Sequence, residues 1–158
     1  LGHHFSADLS TKAFFNYKHP FDTFNASSSY SGQLGQNSFL KAHIKGTFAN
    51  NKYFYKDYRH QTIEQEHSDV IDGNCDVKFS QFFKDGSSLS LGDLFYTGNK
   101  TTPGSKTSYS YGNQKDLNNK LILNLLNPSI LNLFKLETNL AYLKDFRLYS
   151  GKNINPFR

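Results

Sequence analysis

Six histidines and one cysteine are the side chains of this chain best suited to metal or nucleophilic chemistry, and their spacing argues against both. No His-x-x-x-His pair or Cys/His grouping has the interval that places two ligands on one zinc ion. His3 and His4 are adjacent, so on a strand they point to opposite faces. Cys75 has no second cysteine with which to form an internal disulfide, and it reads as a small apolar residue. Serine, histidine and aspartate are all present, yet no Gly-x-Ser-x-Gly elbow presents a nucleophile. The expectation is therefore no enzyme, no metal and no cofactor. What remains is chemistry of recognition. Tyr53, Tyr55, Tyr58, Arg59 and His60 crowd one polar stretch, and Lys106 and Tyr109 stand in another, beside Tyr111. Rings and cations so placed can stack on a ligand or hydrogen-bond it. They equally suit an interfacial aromatic band beside a solvated loop.

The elements that must carry these stretches are strands. Between Glu66 and Asn99, Ile71, Gly73, Cys75, Val77, Phe79, Gln81 and Phe83 alternate with Asp72, Asn74, Asp76, Lys78 and Ser80. Side chains on a strand alternate with period 2, so one face is mostly apolar and the other charged. Lys84-Asp85-Gly86-Ser87 then predicts a tight turn, with Gly86 supplying a positive φ. Leu89, Leu91 and Phe95 resume the apolar face. Asp93 would spoil it, and a β-bulge at Gly92 is expected to turn that carboxylate away. The same pattern predicts strands over His4–Tyr17, Asp22–Leu34, Ser38–Asn50, Tyr111–Leu126 and Leu131–Tyr149, with a turn at Asn127-Pro128-Ser129. Lys144 is the one residue that interrupts the apolar face of the last strand, and it is expected near that strand's far end.

The fold class expected is all-β: an antiparallel up-and-down meander of about seven long strands, forming an incomplete segment of a large transmembrane β-barrel across residues 1–158. Several observations carry this. Apolar residues make up 37 %, against roughly 45–50 % in soluble domains, while aromatics reach 16 %. No apolar run is long enough for a membrane helix, which leaves a strand-built span open. Connections after the second, fourth and sixth strands are short, whereas Asn51–Gln65 and Lys100–Ser110 are long, so the long loops gather at one end. Phe15, Tyr17, Tyr53, Phe54, Tyr55, Phe95, Tyr96, Tyr111, Phe146 and Tyr149 lie toward that end, and Tyr30, Phe39, Phe83 and Phe134 toward the other. Such bands match the girdles of a barrel in lipid. Lys41, His43, Lys45, Asp72, Asp76, Lys78 and Lys120 are then expected to face a wet lumen. The net charge of +5 is spread along the chain, which argues against nucleic acid as a partner.

Seven strands do not close a single-chain bacterial barrel, the chain contains no methionine, and its opening residues are not expected to be a signal peptide. It is expected to be part of a larger barrel, without a plug domain or a closing strand. A soluble β-sandwich or small barrel, with a binding or structural role, stands beside this reading.

Three stretches resemble the early barrel of TonB-dependent outer-membrane receptors. They are Glu66-His67-Ser68-Asp69, then Leu94-Phe95-Tyr96-Thr97-Gly98-Asn99-Lys100 leading into Thr102-Pro103-Gly104, then Asn113-Gln114-Lys115-Asp116. The similarity is best from Gln33 to Tyr149 and looks closest to the cobalamin- and siderophore-receptor branch. It implies a barrel of about 22 strands in the outer membrane of a diderm bacterium. A plug would fill that barrel, and TonB would drive import of a scarce corrinoid or metal chelate. It also implies partners: outer-membrane lipid, the plug and the rest of the barrel, and TonB acting through the plug. A porin or adhesin without TonB coupling shares the same strand pattern.

Overall fold

The computed structural model describes residues 2–13, 21–51, 54–56, 59–64, 68–103, 110–130 and 133–153. It is all-β, with 86 % of the described residues in strands and no helix among them. Nine strands follow in order: β1 (His4–Ala13), β2 (Phe21–Gly35), β3 (Ser38–Ala49), β4 (Phe54–Lys56), β5 (Thr62–Glu64), β6 (Val70–Phe82), β7 (Ser88–Pro103), β8 (Ser110–Ile130) and β9 (Phe134–Asn153). Seven form one open antiparallel sheet in the order β1-β2-β3-β6-β7-β8-β9, while β4 and β5 pair as a separate hairpin. The meander expected from the alternation is therefore present, as an open sheet rather than a closed one.

Turn chemistry fixes the short end. Gly86 takes φ 83°, and the Asp85 carboxylate accepts from the Ser87 amide at 3.0 Å and from the Ser87 hydroxyl at 2.6 Å. This is the turn that Asp-Gly predicts. The last turn falls later than its proline suggests. β8 runs on to Ile130, with its pairing to β9 irregular between Asn127 and Ile130, and the Leu133 amide closes onto the Ile130 carbonyl at 3.0 Å. At the other end, β7 continues through Pro103 and β8 starts at Ser110, so strands take in both ends of the expected loop of Lys100–Ser110, whose remaining residues lie outside the described ones. Pro103 is tolerated because it is the final residue of its strand. The connection from β3 to β6 is pinned at its base. Ser68 Oγ donates to the Asn51 carbonyl at 2.6 Å, and Asn51 Nδ2 donates back to the Ser68 carbonyl at 3.1 Å. Phe15 and Tyr17 lie outside the described residues.

The register sorts every strand into two faces. On one, the rows Phe24–Phe48–Ile71, Tyr30–Ala42–Val77, Phe79–Leu91–Leu123–Leu140 and Thr97–Leu117–Phe146 run across neighbouring strands. On the other lie Ser27–Lys45–Asn74, Ser29–His43–Asp76 and Ser31–Lys41–Lys78. Neither face is covered. Among the described residues Ala49 is the one buried apolar side chain, and none is fully buried. Phe5 at 70 %, Leu9 at 71 % and Leu143 at 66 % exposure show how open the sheet is.

Three details depart from the alternation. No bulge occurs at Gly92: the pairing of β7 with β6 and β8 is continuous, and Asp93 stays on the apolar face opposite Val77 and Leu121. Its carboxylate is held there by Asn119 Nδ2 at 2.6 Å, which removes the reason for a bulge. Lys144 lies mid-strand, opposite Asn119, because β9 extends to Asn153. Phe39, Tyr96 and Tyr149 belong to the polar face, not to an outer girdle. Phe39 meets Phe82 there edge-on at 6.0 Å.

Candidate functional site

All seven residues expected to face a lumen share the polar face. Lys41 stands directly opposite Lys78, His43 opposite Asp76, Lys45 opposite Asn74, and Asp72 opposite Thr47. Lys120 is farther across the sheet, between Leu94 on β7 and Leu143 on β9. A shallow concavity of about 390 Å³ is bounded by Ser29, Ser31, Lys41, His43, Asp76 and Lys78. Gly92 carries no side chain, and Leu94 and Ile122 complete the apolar floor beside it. The result is a hydroxyl- and ammonium-rimmed surface over a small apolar patch. Such a surface can hold a ligand that combines an anionic or polar edge with an apolar body. The carboxamide oxygen of Asn74 is buried on the same face without a partner, an acceptor left open.

Sequence reasoning missed a second group on this face. Asp116 is buried, with only 6 % of its side chain exposed, and its carboxylate takes Arg147 Nε at 2.8 Å and Gln114 Nε2 at 2.7 Å. Lys100 Nζ lies 3.9 Å away. β7, β8 and β9 bring these residues together because Gly98, Asp116 and Arg147 form one cross-strand row. The Tyr96 ring folds over Gly98, in the space that a Cβ there would fill. The signal was present: Gln114 and Asp116 sit in the polar run that opens β8, two positions apart and so on one face.

The loop candidates divide. Tyr55 pairs with Ile63 in the β4–β5 hairpin, and Arg59 and His60 form its exposed tip, with His60 at φ 59°. The strands of this hairpin pair with each other and not with the seven-stranded sheet. Tyr53, Tyr58, Lys106 and Tyr109 lie outside the described residues. Among the described residues, no group of three or more His, Cys, Asp or Glu side chains is placed to hold a metal ion. Cys75 lies half-buried on the apolar face, opposite Ile44 and Phe95. No family model matches the chain, and neither a curated protein nor a solved structure matches it.

Proposed function

We propose that this chain forms part of the wall of an outer-membrane β-barrel, and that the barrel is a receptor importing a scarce ligand in the manner of TonB-dependent receptors. The observation that carries the reading is a seven-stranded sheet with an apolar face and a charged face, neither of them covered by protein. A soluble sandwich would bury such apolar rows against a second sheet. In a barrel wall, lipid covers them and the charged face meets water. Strand lengths support this: β8 has 21 residues and β9 has 20, against the roughly 9–11 that a tilted strand needs to cross the hydrocarbon. The excess would stand clear of the bilayer at the loop end, where Arg59 and His60 could meet ligand first. Lys41, His43 and Lys78 would then line the passage together with a plug. The choice of a corrinoid or a ferric chelate as ligand rests on the resemblance described above.

The test is to dilute the urea-unfolded chain into buffer, into detergent micelles and into lipid vesicles, following sheet content by circular dichroism. Sheet that forms with micelles or vesicles, and aggregation without them, is the expected result. A soluble, cooperatively unfolding monomer in buffer would replace the transporter with a binding module. Import is tested in a diderm host by uptake of a labelled corrinoid and a labelled ferric chelate, with and without TonB. TonB-independent uptake would move the chain to the porins.

A further inference from the structure

We propose that the apolar face of β7–β9 is where two copies of this chain meet, joined by reciprocal ion pairs between Asp93 of one copy and Lys144 of the other. On that face alternation fails on three neighbouring strands at neighbouring positions, giving Asp93 on β7, Asn119 on β8 and Lys144 on β9. Asn119 holds Asp93 at 2.6 Å and stands directly opposite Lys144. No carboxylate of the described residues lies within ion-pair distance of Lys144. Apolar rows flank the trio on both sides. Leu91, Leu123 and Leu140 lie toward the short turns, and Leu117 and Phe146 toward the loops. Hydrocarbon chains at this level offer neither an acceptor for the ammonium nor a donor for the carboxylate.

A second copy offers both. Asp93 and Lys144 sit one strand to either side of Asn119, but Asp93 is opposite Leu121 and so two residues further along, which sets the two about 12 Å apart at ordinary strand spacing and rise. A two-fold axis in front of the wall between Asn119 and Leu121, perpendicular to the line from Asp93 to Lys144 and so tilted by about 35° to the strands, exchanges the two positions. It therefore brings acid onto base twice, as a self-complementary interface requires. Leu121, Leu140, Tyr142 and Phe146, 40–60 % exposed, would close an apolar ring around the charges. This rests on reading that face as the outer wall of a barrel.

The experiment is sedimentation of the full chain in detergent, with the variants D93K and K144D alone and mixed. Wild type should dimerise, and each variant alone should raise the dissociation constant at least about tenfold. One variant then presents two cations at the contact and the other two anions, so their mixture should recover the dimer as a heterodimer. Pairing through the open sheet edges would not depend on these charges. D93N and K144Q, checked for sheet content by circular dichroism, give the same reading should a charge reversal fail to fold. A monomeric wild type, or a mixture that associates no better than its components, overturns the proposal. So does K144D releasing anionic lipid with the oligomeric state unchanged, which would assign Lys144 to a headgroup. Recovery of the dimer by the mixture in detergent-free buffer would keep the contact while removing the membrane reading.

Discussion

Asp85 is a small case of how a turn becomes sensitive to pH. The hydroxyl and the amide of Ser87 both donate to its carboxylate, and they hold its pKa below the usual carboxylate value. A depressed pKa means that the turn's contribution is fully present above the ordinary carboxylate range and is lost as pH falls through the lowered value. Exchange of the Ser87 amide should therefore quicken in acid with that lower midpoint, and Asp85→Ala should abolish the titration. On the polar face, Asp116→Ala would leave the Arg147 guanidinium and the Gln114 amide without their acceptor. Its urea midpoint should fall further than that of any exposed lysine variant on the same face. Lys41→Gln should move the other way. Like charges directly opposite each other across two strands cost a few tenths of a kcal/mol to about 1 kcal/mol, so removing one stabilises the sheet. The spacing of Gln114 and Asp116 was legible as one face of β8, but the weight of Asp116 was not, since it lies in partners on two other strands that only the register supplies.

At the scale of elements, the strands were readable because each long strand keeps its two-residue period. All seven polar-face residues from Lys41 to Lys120 fall where alternation places them. The errors came where the period meets something else. At Asp93, counting residues suggested a bulge, but a single amide from Asn119 made the carboxylate tolerable in place. At the β8–β9 end, Asn127-Pro128-Ser129 does turn locally, with Asn127 Oδ1 taking the Ser129 amide at 3.0 Å where the register shifts, but pairing resumes at Ile130. The β4–β5 hairpin has only three pairs and no alternation long enough to notice. The pin between Asn51 and Ser68 was equally invisible, because its two halves are separated by the whole of that loop. Asn51 sits at φ 48°, so Asn51→Ala loses a hydrogen bond and a residue that tolerates that conformation. A loss of about 1–2 kcal/mol is expected, read as faster proteolysis within residues 52–67.

At the scale of the molecule, stability cannot come from a protein core, because the described sheet has none. It has to come from the ladders and from whatever covers the apolar rows. In bilayers, a lysine at mid-depth costs about 2–4 kcal/mol when lipid alone surrounds it. Lys144→Leu is thus informative in vesicles. A gain in stability toward urea is the outcome if lipid covers that position, whereas a second copy there would make the same change weaken association.

Strand order also governs how such a chain assembles. Five of the six ladders in the large sheet join strands that follow one another directly in the chain, while β3 and β6 alone must find each other across residues 50–69. Closing a loop costs entropy that grows only slowly with its length, and hairpins formed by near neighbours nucleate early. The chain can accordingly zip from two separate starting points, β1–β2–β3 and β6–β7–β8–β9. The Asn51–Ser68 pin ties the two halves together at the base of their connection. The meeting of the two ribbons, rather than the making of either one, is therefore the event expected to be slow, and Asn51→Ala should slow it further in stopped-flow refolding into micelles.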